Sequence, residues 1–211
     1  MVNTDRNITN APMINGNYRT EEVLMALGNV FFNKCYICEK KLLHPSLFEI
    51  DHFVPQNVDP AKELEWSNLY LCCKECNGSR VKSYPIGGYL DPCDPDDDVE
   101  NEIIYKLPAT QYDEPLISPS SPNPTQKVLN TVKQLNRAYY GTKKTKMKCQ
   151  ALRNLITKEA KSLLTLLIEE NNAVRDNDHV KLNETDQKIN LMIDVDAPFS
   201  VFMKYLVAKY R

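Results

Sequence analysis

The chain has 211 residues, 42% hydrophobic and 26% charged, the proportions of an ordinary soluble protein able to bury one good core or a compact domain plus a helical extension. A formal net charge of −2 gives no global sign of nucleic-acid affinity. No run approaches the ~18 apolar residues of a membrane span, and the first thirty residues lack a basic start followed by an apolar stretch, so no membrane contact and a cytoplasmic location are expected.

Seven cysteines are an odd count, which argues against a closed disulfide framework. In a reducing compartment, paired Cys-x-x-Cys motifs read as metal ligands. Thirteen prolines against six glycines imply stiff connecting segments.

The expected class is α+β, with a small two-strand-and-helix core followed by a mostly α-helical C-terminal region. Residues 1–19 are polar and Asn-rich and are expected to be flexible. A helix fits 20–32, with Thr20 as N-cap and Val23, Leu24, Leu27, Val30 and Phe31 on one stripe. Residues 20–90 then read as one module. Cys35 to Leu42 forms a knuckle, Leu47 to Ile50 a strand ending at Asp51-His52, and 54–68 a loop with one helical turn. Leu69 to Leu71 leads into a second knuckle, and a helix is expected from Cys73 to Lys82.

Residues 91–124 are an acidic, Pro-rich connector, with one strand expected from Ile103 to Leu107. Seven acids and no base lie between Asp91 and Glu102. Their spacing lacks the EF-hand pattern, leaving a solvated loop or one that docks on a basic surface. Ser118 to Pro124 reads as a link. From 125 to 211 the pattern is helical and suits DNA or partner contact. One helix follows Thr125 with Val128, Leu129, Val132, Leu135 and Tyr139 in register. After a Gly141-Thr142 break, a long amphipathic helix runs from about Lys146 to Arg175. A short helix is expected near 184–193, and a last one from Asp196 as N-cap with Pro198 in its first turn.

The chemistry concentrates between Cys35 and Lys82. Cys35 and Cys38, with Cys73 and Cys76, suit a closed tetrahedral structural Zn²⁺. Cys73 is the better ligand of the adjacent Cys72-Cys73 pair because it completes the two-residue knuckle. Cys72, Cys93 and Cys149 read as free thiols. Between the pairs lie Asp51-His52 and Asn68, and Asn77 follows Cys76. Phosphodiester hydrolysis needs a base to activate water and a divalent cation to neutralise charge. Neighbouring strand residues point to opposite sides, so Asp51 can face a metal while His52 faces water. A histidine pKa of about 6.5 leaves the ring mostly neutral and able to act as base.

The pattern Cys35-x-x-Cys38, Asp51-His52-Phe-Val-Pro-Gln, Asn68-Leu and Cys73-x-x-Cys76-Asn77 resembles the HNH endonucleases, whose core is the ββα-metal fold. By that resemblance His52 is the general base, Asp51 and Asn77 hold one catalytic cation, and Asn68 braces the loop that orients His52. Asn77 stands where that motif often has histidine, which favours Mg²⁺ or Mn²⁺. Tyr89-Leu-Asp-Pro, Ala197-Pro-Phe-Ser and a helical C-terminal half look like HNH nuclease subunits of bacterial anti-phage systems such as Septu. Those subunits work beside an ATPase partner, so the resemblance implies one here.

Ten basic residues and one acid lie between Lys127 and Lys161. Arg80, Lys82, Lys143, Lys144 and Lys146 are the candidate nucleic-acid contacts. His44 and His179 have no role in the motif. The expected activity is metal-dependent cleavage of DNA. A non-catalytic zinc module for binding nucleic acid or protein, or an HNH enzyme that cleaves RNA, are the alternatives.

Overall fold

The computed structural model describes residues 1–81, 83–107, 116–141 and 146–211. Helix α1 (Glu21–Val30) begins where the Thr20 hydroxyl accepts from the Val23 amide, and it buries Val23, Leu27 and Val30. Phe32 and Asn33, both at positive φ, turn the chain into the first knuckle. There the Cys35 amide donates to Lys40 O and the Glu39 amide to Cys35 O.

Strands β1 (Glu49–His52) and β2 (Leu69–Cys72) pair antiparallel, with Asp51 opposite Tyr70 and His52 opposite Leu69. β1 starts two residues later than expected because Pro45–Leu47 winds into a 3-10 turn capped by the His44 ring. Helix α2 (Lys74–Ser79) takes the Cys73 thiol as its cap and stops short of Lys82. The backbone of Arg80 is already extended there, since its side chain reaches back to β1.

β3 (Ile103–Lys106) pairs antiparallel with β4 (Leu116–Pro119), so the expected link contributes a strand edge, held by burial of Ile117. α3 (Gln126–Tyr140) and α4 (Lys146–Arg175) match the periodic pattern. α5 (His179–Ile193) starts five residues before the expected 184, because the Asp178 carboxylate accepts from the Lys181 amide and nucleates the first turn. α6 (Ser200–Tyr210) starts later than an Asp196 cap requires. Lys34 Nζ claims the carbonyls of Val195 and Ala197, and Lys41 Nζ claims that of Asp196. These contacts hold the 195–197 backbone against the first knuckle, ahead of the helix.

One contiguous hydrophobic cluster joins α1, the knuckles and β2 to β3 and the helices. Tyr139 and Tyr105 both meet Phe202 edge-to-face, at 5.3 and 5.6 Å between ring centres. The first residues of the N-terminal segment pack on the core. Met1 and Val2 are buried, and Arg6 lies over the Tyr70 ring while donating to Trp66 O and Leu69 O. The acidic run docks on basic residues, since buried Asp97 accepts from Lys127 Nζ at 2.8 Å and Glu100 from Lys204 Nζ at 2.5 Å. Among the described residues no helix is long and apolar enough to cross a membrane.

Candidate active site and metal centre

The two knuckles converge. The sulfurs of Cys35, Cys38, Cys73 and Cys76 all lie within 4.8 Å of one another and all four residues are buried. A tetrahedral ion with metal–sulfur bonds of about 2.3 Å separates its sulfurs by about 3.8 Å. The Cys38–Cys73 separation of 3.9 Å fits that shape. Burial works against ionising Cys35, yet hydrogen bonds from the neighbouring thiols outweigh it and draw its pKa down. The donor set could hold a structural metal, and four soft sulfurs with no vacancy for water suit zinc. Cys72 is buried beside the cluster, 3.8 Å from Cys35, and stands outside the four.

Asn68 stitches the loop between the strands. Its Nδ2 donates to Val54 O and Lys62 O, both at 3.0 Å, and its Oδ1 accepts from the Val54 amide at 2.7 Å. A buried amide that satisfies three backbone groups fixes both ends of the loop at once. The loop in turn places Glu63 O 3.0 Å from His52 Nε2. A carbonyl oxygen only accepts, so Nε2 carries the hydrogen and Nδ1 of the neutral ring holds the lone pair. The His52 and Tyr18 rings meet edge-to-face with centres 4.7 Å apart, and exposed Arg19 reaches over Tyr18. Neither Tyr18 nor Arg19 was legible as a neighbour of the histidine, because Tyr18 lies 34 positions before it in the chain.

Asp51 does not stand open to solvent. Its Oδ2 accepts from Tyr36 Oη and from Arg80 Nη1, both at 2.6 Å, and the residue is 7% exposed. Burial pushes the Asp51 carboxyl above its ordinary value, against the pull of the Arg80 guanidinium and the Tyr36 hydroxyl. Burial likewise disfavours the Arg80 cation, yet Tyr36 and Asp51 hold its pKa above the ordinary arginine value. Arg80 also donates to His52 O at 2.7 Å and Phe53 O at 2.9 Å, and it lies over Tyr89. Arg80, expected at a phosphate backbone, has a side chain only 8% exposed. Its guanidinium is spent inside the fold, where it neutralises a buried carboxylate and ties down the end of β1.

Asn77 meets a residue that the motif did not single out. Its Nδ2 donates to Glu49 Oε2 at 2.8 Å. Strand alternation puts Glu49 on the Asp51 side of β1, so a period of two could have flagged it. Glu49 and Asn77 line a cavity of about 780 Å³ between the knuckles, α2, α3 and α4, together with Lys40, Lys74, Arg137 and Leu152. Asp51 and His52 are not among its lining. Of the remaining candidate nucleic-acid contacts, Lys82, Lys143 and Lys144 lie outside the described residues. Lys146 opens α4, but its side chain is likewise outside them.

A model of the HNH endonuclease family matches residues 35–82, the segment that holds the cysteine cluster, both strands and α2. Over 83 residues the chain is 32% identical to the Septu protein PtuB of Bacillus thuringiensis, a stretch that is 38% of this chain and 32% of that protein. It is also 32% identical over 80 residues to the Septu protein PtuB of Bacillus mycoides, covering 32% of this chain and 27% of that one. The chain thus spans a third or less of the length of either relative. No solved structure matches. The strand-end histidine, the stitched loop and the paired knuckles all lie within the segment that the HNH endonuclease model matches.

Proposed function

We propose that this protein is a metal-dependent HNH endonuclease that hydrolyses DNA phosphodiester bonds as the nuclease component of a bacterial anti-phage system. The observation that carries the reading is the support of His52. The Glu63 carbonyl holds Nε2–H, Tyr18 meets the ring edge-to-face, and Asn68 fixes the loop that supplies Glu63. A neutral imidazole held by one nitrogen presents the other, Nδ1, as a base for water. In the proposed roles His52 takes the proton from the attacking water and Asn68 positions it without touching the reacting atoms.

The four cysteines hold zinc as a structural ion in this reading. A catalytic Mg²⁺ or Mn²⁺, when bound, supplies charge neutralisation at the scissile phosphate and the leaving oxygen. The oxygen donors present fit a hard cation, with Asp51 and Asn77 as its proposed holders. Lys146 and its basic neighbours at 143–144 remain candidate contacts to the DNA backbone.

The similarity to Septu proteins supports the defence setting, and an ATPase partner is part of the same proposal. Exposed apolar side chains on α4 and α5, among them Ile168, Val180 and Leu191, support protein contact by the helical half. A cytoplasmic location is part of the same proposal.

The test is nicking of supercoiled plasmid by the purified full chain with Mg²⁺ or Mn²⁺, beside His52→Ala. The expected result is cation-dependent nicking that falls by at least about a hundredfold in the variant. Equal nicking by both proteins removes His52 from the chemistry. Cleavage of single-stranded RNA in preference to plasmid reassigns the substrate.

A further inference from the structure

We propose that Arg19 is a contact to a DNA backbone phosphate near the cleavage position, carried to the proposed base by Tyr18. The proposal rests on the nuclease reading above for the role of the site, while the contact itself is measured by binding alone.

A DNA strand attacked beside His52 brings phosphates on either side of the reacting one, each with a negative charge. The chain around the histidine meets them mostly with carboxylates. Glu63, whose carbonyl holds His52 Nε2, and Glu65 are both exposed. The one cation of the 54–68 loop, Lys62, is half-buried and outnumbered by Asp59, Glu63 and Glu65. Arg80 is committed to Asp51, His52 O and Phe53 O. An available positive charge at this edge of the site has to come from elsewhere in the chain.

Arg19 supplies it. The Tyr18 and His52 ring centres are 4.7 Å apart and Arg19 Cζ stands 5.4 Å from the Tyr18 centre, which puts the guanidinium within about 10 Å of the imidazole. Phosphates rise ~3.4 Å per step along one strand, so that reach covers about two or three nucleotides from the attacked one. Arg19 is exposed, and among the described residues its guanidinium donates only through Nε, to Tyr18 Oη at 3.3 Å. Both Nη groups keep their hydrogens for an anion, in the planar fork that matches two phosphate oxygens. Glu21 and Glu22 follow closely in sequence, yet neither stands within ion-pair distance of it. Stacking on Tyr18 restricts the long side chain before DNA arrives, so less rotamer freedom is lost on contact. The backbone is held as well. Asn17 Oδ1 accepts from the Arg19 amide at 2.9 Å, and the Thr20 hydroxyl caps α1 one residue later. The turn that presents Arg19 is thus anchored to α1 on one side and to the His52 ring on the other.

The experiment is binding of a short labelled DNA duplex to the zinc-loaded full chain in Ca²⁺, read by fluorescence anisotropy from low to physiological salt. Arg19→Gln, Arg19→Lys and a control on the exposed face of α5, Lys188→Gln, are compared with wild type, with thermal midpoints in parallel. Arg19→Gln is expected to weaken binding about five- to tenfold and to lower the slope of log affinity against log salt by about 1, with an unchanged midpoint. Arg19→Lys keeps the slope, because the charge remains, but recovers the affinity only in part. Lys188→Gln stays within about twofold of wild type. In cleavage with Mg²⁺, Arg19→Gln raises KM while kcat stays within about threefold, as befits a contact outside the reacting atoms. Wild-type affinity and slope in Arg19→Gln overturn the proposal, as does an equal loss in Lys188→Gln or the absence of duplex binding by wild type. An Arg19 effect on single-stranded RNA with none on duplex DNA overturns the assignment to DNA. Arg19-dependent duplex binding by a protein that nicks with no cation supports the contact and overturns the nuclease reading instead.

Discussion

Asn68 shows how a single side chain can determine the state of a site it never enters. It is 4% exposed, and its amide meets Val54 on both backbone atoms and Lys62 on the carbonyl. Asn68→Ala would leave the Val54 amide and two carbonyls without that partner, at a cost of about 2–4 kcal/mol. The prediction is a matching loss in urea-unfolding free energy, together with loss of plasmid nicking while bound zinc stays at the wild-type level. Retained nicking at full rate would remove the loop from the mechanism. At this scale the motif residues themselves were legible, because ligand spacing and the Asp-His dipeptide are properties of the local chain. Their partners were not. Arg80 is charged and follows a site helix, so it reads as a phosphate contact until the buried Asp51 beside it is seen. Tyr18 reaches His52 across a fold that the sequence does not display.

Among the elements, the first knuckle, which supplies two of the four clustered cysteines, also supports the last helix. Glu39, at its tip, is 1% exposed and accepts from the Ser200 hydroxyl and the Val201 amide at the start of α6. Lys34, 2% exposed, stands 3.9 Å from the same carboxylate and donates to Ala197 O. The knuckle thereby caps the last helix from outside, which explains why α6 needs no side-chain cap of its own and why Asp196 is not that cap. Glu39→Gln is expected to cost about 3 kcal/mol, since it leaves the Met1 ammonium, 2.8 Å from the carboxylate, and the buried Lys34 without their counter-charge. The double variant Lys34→Met, Glu39→Gln should lose clearly less than the sum of the two single changes, measured by urea unfolding. Strict additivity would mean that the two residues do not act as a pair. Periodicity made α1, α3 and α4 readable almost to the residue, as long apolar stripes dominate there. The starts of α5 and α6 were set instead by Asp178 and by distant lysines, signals too short or too remote for pattern.

For the whole molecule, the question is whether the metal cluster stabilises a domain or the entire chain. The sulfurs draw the first knuckle onto the Cys73 end of α2, the knuckle holds α6 through Glu39, and α6 packs against β3, α4 and α5. The acidic 91–102 stretch closes the circuit, with Asp97 on Lys127 of α3 and Glu100 on Lys204 of α6. No break in packing follows the composition boundaries near 90 and 124, because one apolar cluster crosses both. Structural zinc contributes on the order of 10 kcal/mol of binding free energy, comparable to the ~5–15 kcal/mol net stability of a whole protein. Chelation should therefore melt more than the knuckles. Trp66, the single tryptophan, reports on the module through its fluorescence, while far-ultraviolet circular dichroism is dominated by the helices from Gln126 onward. The two signals are expected to share one thermal transition in the zinc-loaded protein and to move down together when a strong chelator is added. A tryptophan transition that collapses while the helical signal keeps its midpoint would show that the C-terminal helices stand alone, and the knuckle–α6 contact would then be an attachment rather than a support.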